Sequence, residues 1–288
     1  MITMLMPSHA VAGALKDRPA IVSNVAILGD DVMLVHAKRP AHCAPAGALI
    51  IFPGFKRNAY DYLERASELA KSQCLSIYAP EFDRRKFPRW RYQRGGVLKG
   101  GRIADPKSCT GHVIERLIGW VRSQEGRPDL PIILFGHSAG GQLLSRVTAY
   151  CPLEGPHRPS RIVVANPSGH VGAMLGEAVP YGFAVPGQEN ELMPHAEQRL
   201  KAYLAQPITI YLGGRDTGTR RLNQEEGARR QGSNRFERGV NVYEVARRLA
   251  ERNGWPFGWR LVVAPAVGHS SEDMLTAPEA ADALMSPH

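Results

Sequence analysis

From Ala48 to the end of the chain, short apolar runs alternate with segments of helical spacing, and this alternation restricts the fold more than any other feature. The runs are Ala48 to Phe52, Leu75 to Ala79, Ile132 to Phe135, Arg161 to Ala165, Ile208 to Leu212 and Trp259 to Ala264. Each is close to continuously apolar, as strands buried on both faces are, and lacks the period of two of a strand with one wet face. Between them, Tyr60 to Gln73, Val113 to Arg122, Gln142 to Tyr150 and Val242 to Arg252 read as amphipathic helices. Strand and helix in turn predict an α/β fold, with a mostly parallel twisted sheet covered by helices on both faces. Upstream, Ile21 to Leu28 and Val32 to Ala37 flank Gly29-Asp30-Asp31, so an N-terminal antiparallel hairpin is expected at the sheet edge.

The 288 residues, 43% of them hydrophobic, suffice for one large core, and no linker, repeat or low-complexity segment divides them. One domain over residues 19–288 is expected, after an N-terminal extension, 1–18, expected to lack fixed structure. That extension lacks the basic start and long apolar centre of an export signal, so a cytoplasmic location is favoured over export. No apolar stretch approaches the roughly 18 residues a spanning helix needs, so no membrane span is expected. Cys43, Cys74, Cys109 and Cys151 are scattered without metal-ligand spacing, and buried free thiols are expected, with one disulfide as the alternative. The connections Asn166 to Pro207 and Arg215 to Asn241 exceed ordinary strand-to-helix loops and are expected to be lids or ordered surface excursions.

The formal charge of +9 favours contact with acidic surfaces. Much of the surplus lies in Arg215, Arg220, Arg221, Arg229, Arg230, Arg235 and Arg238, interrupted by Glu225, Glu226 and Glu237. No aromatic ladder or nucleic-acid motif accompanies this run. A solvated, salt-bridged surface segment is expected, and nucleic acid is not expected as a partner.

Gly136-His137-Ser138-Ala139-Gly140 fits the G-x-S-x-G pattern. The apolar run before it and the helical segment after it supply the strand-to-helix setting that a nucleophile elbow requires. Serine alone is a weak nucleophile, so a base must take its proton and a carboxylate must orient that base. His269 lies just beyond the last strand, with Gly268 expected to permit a sharp return of the chain. Asp216 follows the run Ile208 to Leu212 through Gly213-Gly214-Arg215, with Glu81 and Asp83 as fallback carboxylates. A helix-capping serine, an Asx turn and a surface histidine are the bland readings of Ser138, Asp216 and His269. His137 should point away from its neighbour Ser138, and His112, His170 and His195 are expected to be structural or surface residues. An oxyanion hole needs two aimed N–H groups. Ala139, at a helix start, is one candidate. Since Pro53 has no N–H, the amide of Phe55 is the other, unless Phe55 is a plain core aromatic.

At these residues the sequence resembles the poly(3-hydroxybutyrate) depolymerase-like branch of the α/β-hydrolases, close to the dienelactone-hydrolase-like esterases. The matching pieces are Phe52-Pro53-Gly54-Phe55-Lys56-Arg57-Asn58-Ala59, Ala79-Pro80-Glu81-Phe82-Asp83, the Gly136 to Gly140 elbow, Leu212-Gly213-Gly214-Arg215-Asp216 and Gly268-His269-Ser270. They span the chain from about Ala48 to its end. The resemblance implies an α/β-hydrolase fold with Ser138, Asp216 and His269 as catalytic residues and Phe55 and Ala139 as oxyanion donors. Pro53 departs from the His that relatives often carry there.

A serine hydrolase cleaving carboxylic esters through an acyl-enzyme is therefore expected, with a small-molecule or polyester substrate such as short hydroxyacyl or polyhydroxybutyrate-type esters. It would use no metal or organic cofactor. Acyl transfer or amide cleavage by the same residues, and a noncatalytic binding protein on this scaffold, are the alternatives. Trp90 and Tyr92, within the Arg-rich stretch Phe87 to Gly101, are candidate walls for an acyl chain, with a packed loop as the alternative. Trp255, Phe257 and Trp259 are expected to anchor the last strand.

Overall fold

The computed structural model describes residues 20–184 and 196–285, so the extension 1–18 and His195 lie outside the described residues. Among the described residues ten strands form: β1 (Val22–Leu28), β2 (Asp31–Lys38), β3 (Gly47–Phe52), β4 (Leu75–Pro80), β5 (Leu98–Lys99), β6 (Arg102–Ile103), β7 (Ile132–His137), β8 (Arg161–Ala165), β9 (Ile208–Gly213) and β10 (Arg260–Ala264). The helices are α1 (Ala59–Ser72), α2 (Arg89–Tyr92), α3 (Gly111–Glu125), α4 (Ala139–Tyr150), α5 (Ala196–Leu204), α6 (Glu226–Arg229), α7 (Arg235–Asn253), α8 (Ser271–Thr276) and α9 (Glu279–Leu284). The main sheet has eight strands in the order β1-β2-β4-β3-β7-β8-β9-β10, and β5 with β6 makes a separate ribbon. The pairs β1/β2 and β2/β4 are antiparallel and the rest of the main sheet is parallel, as the alternation of runs predicts.

The continuous apolar runs follow from burial of both sheet faces, since successive side chains on a strand point opposite ways. Ala48, Ile50 and Phe52 of β3 belong to the core that residues of α3, α4, α5 and α7 complete, whereas Leu49 and Ile51 belong to the one that residues of α1, α8 and α9 complete. Strand order reverses between β3 and β7: from β3 the chain moves outward to β4, then returns to β7 on the other side. Such a switch point opens a crevice at the carboxyl ends of the two strands. The loop after β3 and the turn after β7 face each other there.

Two expectations are corrected, on the cysteines and on the Arg-rich segment. The cysteines are not free thiols: Cys43 pairs with Cys74 and Cys109 with Cys151, and none remains free. Scattered spacing carries no connectivity, and the packing of the start of α3 near the end of α4 brings the second pair together. The Arg-rich segment is not wholly solvated, because Arg235 and Arg238 are 4% and 1% exposed. Arg238 donates to the carbonyls of Gly232, Ser168 and Asn223 at 2.9, 2.6 and 2.9 Å, tying the loops after β8 and β9 together. The long connections also hold structure, since α5 lies in the first and both α6 and the first turns of α7 in the second. Among the described residues no helix is long and apolar enough to cross a membrane.

Candidate active site

Ser138 sits between β7 and α4 with φ 54° and ψ −106°, a backbone conformation that side-chain-bearing residues rarely adopt. Its N–H donates to the carbonyl of Ala165 at 2.8 Å. The flanking glycines are required by the backbone itself. A Cβ at Gly140 would lie 2.0 Å from the Phe52 carbonyl oxygen, and one at Gly136 would lie 2.4 Å from that of Gly140. The strained turn is thus held against β3 by contacts that no larger residue can make.

The fold brings the three separated candidates together. His269 Nε2 is 3.1 Å from Ser138 Oγ, and His269 Nδ1 is 2.6 Å from Asp216 Oδ2. Asp216 is 3% exposed, whereas the His269 side chain is about one-third exposed, at 36%. With one ring nitrogen held by a buried carboxylate, the other is free to accept a proton from the serine hydroxyl. Glu81 is elsewhere, 2.8 Å from His36, and Asp83 caps a turn by accepting from the N–H groups of Arg85 and Lys86.

Supporting residues escaped the sequence reading. Arg235 Nη1 lies 3.4 Å from Asp216 Oδ1, giving the buried carboxylate a second charged partner. Its signal was present: Arg235, Gly239, Val242, Ala246 and Ala250 continue one buried helical face. Asn166, fully buried at the end of β8, accepts from the Gly213 N–H at 2.8 Å and donates to the Gly268 carbonyl at 3.1 Å. One side chain therefore couples the Asp216 loop to the His269 loop. No local pattern marks it. The glycine demanded at this corner is Gly213, where a Cβ would meet the Gly268 carbonyl oxygen at 2.4 Å, while Gly268 has nothing nearer than 3.9 Å.

Ala139 follows the serine directly, and Gly54, the residue before Phe55, lies so near it that a Cβ there would be 3.6 Å from Ser138 Cβ. Ala139 opens α4, where first-turn N–H groups have no helical acceptor. The Phe55 N–H bonds to none of the described residues, while its side chain is 56% exposed and is not a core aromatic. Arg84 donates to the Phe55 carbonyl at 2.9 Å and stacks over the Phe55 ring at 4.8 Å. Tyr92 is corrected from substrate wall to core residue: it is fully buried and donates to the Pro53 carbonyl at 2.7 Å, with the Arg57 guanidinium 3.6 Å from its ring centre. Trp90 is half-buried beneath the Lys99 ammonium. Of the other histidines, His112 is near the surface beside Glu115, and His170 is buried. Beyond Phe55 lies a cleft of about 310 Å³ whose lining includes Lys56, Arg57, Arg84 and Lys86 together with Glu81 and Asp83. Among the described residues no cluster of three His, Cys, Asp or Glu side chains is arranged to hold a metal ion.

No family model and no curated protein sequence matches the chain. Solved structures do. The chain is similar to LpqC, a poly(3-hydroxybutyrate) depolymerase from Bordetella parapertussis, with 27% identity, coverage of 90% of this chain and 88% of that one, and a TM-score of 0.77. It is similar to poly(aspartic acid) hydrolase-1 from Sphingomonas sp. KT-1, with 28% identity, coverage of 93% and 99%, and a TM-score of 0.79. FphF, a fluorophosphonate-binding serine hydrolase of Staphylococcus aureus, shares the fold at 12% identity, coverage of 90% and 97%, and a TM-score of 0.53. The chain has the α/β-hydrolase fold and resembles the poly(3-hydroxybutyrate) depolymerase-like branch of that fold.

Proposed function

We propose that this hydrolase cleaves carboxylic esters through an acyl-enzyme, with Ser138 as nucleophile, His269 as base and Asp216 as the group that orients it. The observation that carries the reading is the unbroken hydrogen-bond line from Ser138 Oγ through His269 to buried Asp216. His269 Nε2 takes the hydroxyl proton as Oγ bonds to the carbonyl carbon, and the carbonyl oxygen becomes an anion facing the Phe55 and Ala139 N–H groups. Collapse breaks the ester bond and passes the proton from His269 to the leaving alcohol. Water then repeats the sequence, releasing the acid and restoring Ser138.

The test is p-nitrophenyl ester hydrolysis together with fluorophosphonate labelling. Ser138→Ala is expected to abolish both while keeping the fold. Ester turnover that survives in Ser138→Ala, or a folded wild type that neither labels nor turns over ester, would exclude the reading; the second outcome would favour the noncatalytic binding protein.

The +9 charge and the basic cleft beyond Phe55 favour a second reading, in which the same residues cut amide bonds in an acidic polymer. The similarity to a poly(aspartic acid) hydrolase points the same way. Comparing turnover of polyhydroxybutyrate and poly(aspartic acid) separates the two. The paired cysteines support a further element of the proposal, that the enzyme works in an oxidising compartment rather than the cytoplasm favoured by the N-terminal sequence.

A further inference from the structure

His137 sits inside the elbow, next to the nucleophile, yet it belongs to neither the serine-to-carboxylate line nor the surface. It is 3% exposed. Its Nδ1 lies 2.7 Å from the Tyr62 hydroxyl, and that same hydroxyl accepts from the Gly54 N–H at 3.0 Å. A phenol oxygen that accepts from an amide still has its own proton to give, and His137 Nδ1 is placed to take it. That leaves the ring proton on Nε2, which is buried without a hydrogen-bond partner among the described residues. Burial, helped by the nearby His269, Arg235 and Arg65, holds the His137 pKa well below its ordinary value, so the ring stays neutral.

The line Gly54–Tyr62–His137 joins three parts of the site. Gly54 precedes Phe55, so its position sets where the Phe55 N–H points. Tyr62 is on α1, whose buried face is pinned to the sheet, and it is 4% exposed. His137 is the residue before Ser138, and its ring centre is 5.0 Å from that of His269. Gly54 admits the contact because it has no side chain: a Cβ there would be 2.9 Å from the Tyr62 oxygen. The Gly54 amide is committed to Tyr62, and the next amide, that of Phe55, has no acceptor among the described residues.

From this geometry we infer that Tyr62 and His137 are a positioning pair that locks the oxyanion loop to the nucleophile elbow. The inference rests on the proposed roles of Ser138 and Phe55. Neither side chain touches substrate. Their effect appears only when the oxyanion forms, so it falls on kcat and leaves KM nearly unchanged.

The experiment compares Tyr62→Phe with wild type, each normalised to the active-site concentration titrated with a fluorophosphonate. Removing the hydroxyl frees the loop without removing the ring, and kcat on a p-nitrophenyl ester is expected to fall roughly 10- to 100-fold, the scale of a small misplacement of a catalytic donor. Affinity for a boronic acid transition-state mimic should fall in parallel, which lowered stability alone does not cause in titrated, folded sites. His137→Asn, which keeps a hydrogen-bonding group for Tyr62, should retain more of kcat than His137→Leu. A Tyr62→Phe variant with kcat and boronate affinity within about twofold of wild type would overturn the pairing. Ester turnover by Ser138→Ala would instead overturn the reading on which it rests.

Discussion

Ser138 and Asp216 stand at the ends of neighbouring parts of one sheet, but they are fixed by different forces. At the end of β7 the backbone does the work: Gly140 closes on β3, and Gly136 on Gly140, at distances that any side chain would forbid. At the end of β9 the chain is held by side chains from far away in sequence. Arg235 reaches Asp216 from α7, Arg238 gathers three loop carbonyls, and Asn166 bridges Gly213 to Gly268. The elbow is thus a local device set by steric exclusion. The acid loop is a tertiary device set by buried hydrogen bonds, and the two should fail differently when disturbed.

The largest effect is expected from Asp216→Asn. The loop would keep its hydrogen bond to Asn166, but His269 would lose the carboxylate that selects its tautomer and Arg235 its buried charge partner, so kcat should fall about 10³- to 10⁴-fold and the melting temperature should fall as well. Ester kinetics beside thermal melts test this; a variant with more than about a tenth of wild-type kcat would remove Asp216 from the mechanism. Gly140→Ala comes next and should break the contrast from the other side. Its methyl group would strike the Phe52 carbonyl, so stability and kcat should fall together, by about 1–3 kcal/mol and about 100-fold. Urea unfolding and active-site titration would reveal an elbow that tolerates a methyl group, if one exists.

Arg235→Met is expected to have a smaller effect on turnover. Asp216 would keep His269 but lose its second partner, and the Arg220 carbonyl, which accepts from Arg235 Nη2 at 2.9 Å, would also lose its donor. A loss of about 2–4 kcal/mol in stability and about 10-fold in kcat is expected, measured by urea titration and ester assay. Arg235→Lys should rescue only part of this, because an ammonium cannot span both acceptors as the guanidinium fork does. Unchanged stability in Arg235→Met would mean that the acid loop is held locally after all.

The same contrast explains what the sequence made legible. The strand runs, the elbow and the order Ser138, Asp216, His269 are patterns within a few residues or obligations of one topology, so they could be read directly. Asn166 and Tyr62 are ordinary residues locally, and their importance arises only where distant loops meet. The pairings Cys43–Cys74 and Cys109–Cys151 have the same character. Arg235 lay between these cases: its helical phase with Val242 and Ala246 was visible, but the density of neighbouring arginines made it look like surface. Tyr92 erred in the opposite direction, since an aromatic in a cationic loop reads as exposed while its ring fills the core and its hydroxyl braces Pro53.

The smallest expected effect concerns pH and the buried cations that hold the acid-loop side of the molecule. His170 is 1% exposed, neither ring nitrogen has a hydrogen-bond partner among the described residues, and its pKa is lowered to about 3 by burial first and by Arg146 and Arg238 next. In the unfolded chain the same ring titrates near the ordinary value of about 6.5. Between those values the unfolded state binds a proton that the folded state refuses, so stability present above about pH 6.5 is lost as pH falls towards 3. At pH 5 this ring alone should cost about 2 kcal/mol relative to pH 7. His137 is buried with the same sign of shift, so His170→Gln should remove one of two contributions rather than all of the acid sensitivity. Urea unfolding at pH 7 and pH 5 tests the sign and the size together. A variant that loses as much stability as wild type over that interval would place the acid sensitivity outside His170 and overturn the claim that this side of the molecule keeps a neutral imidazole near the charges of Arg146 and Arg238.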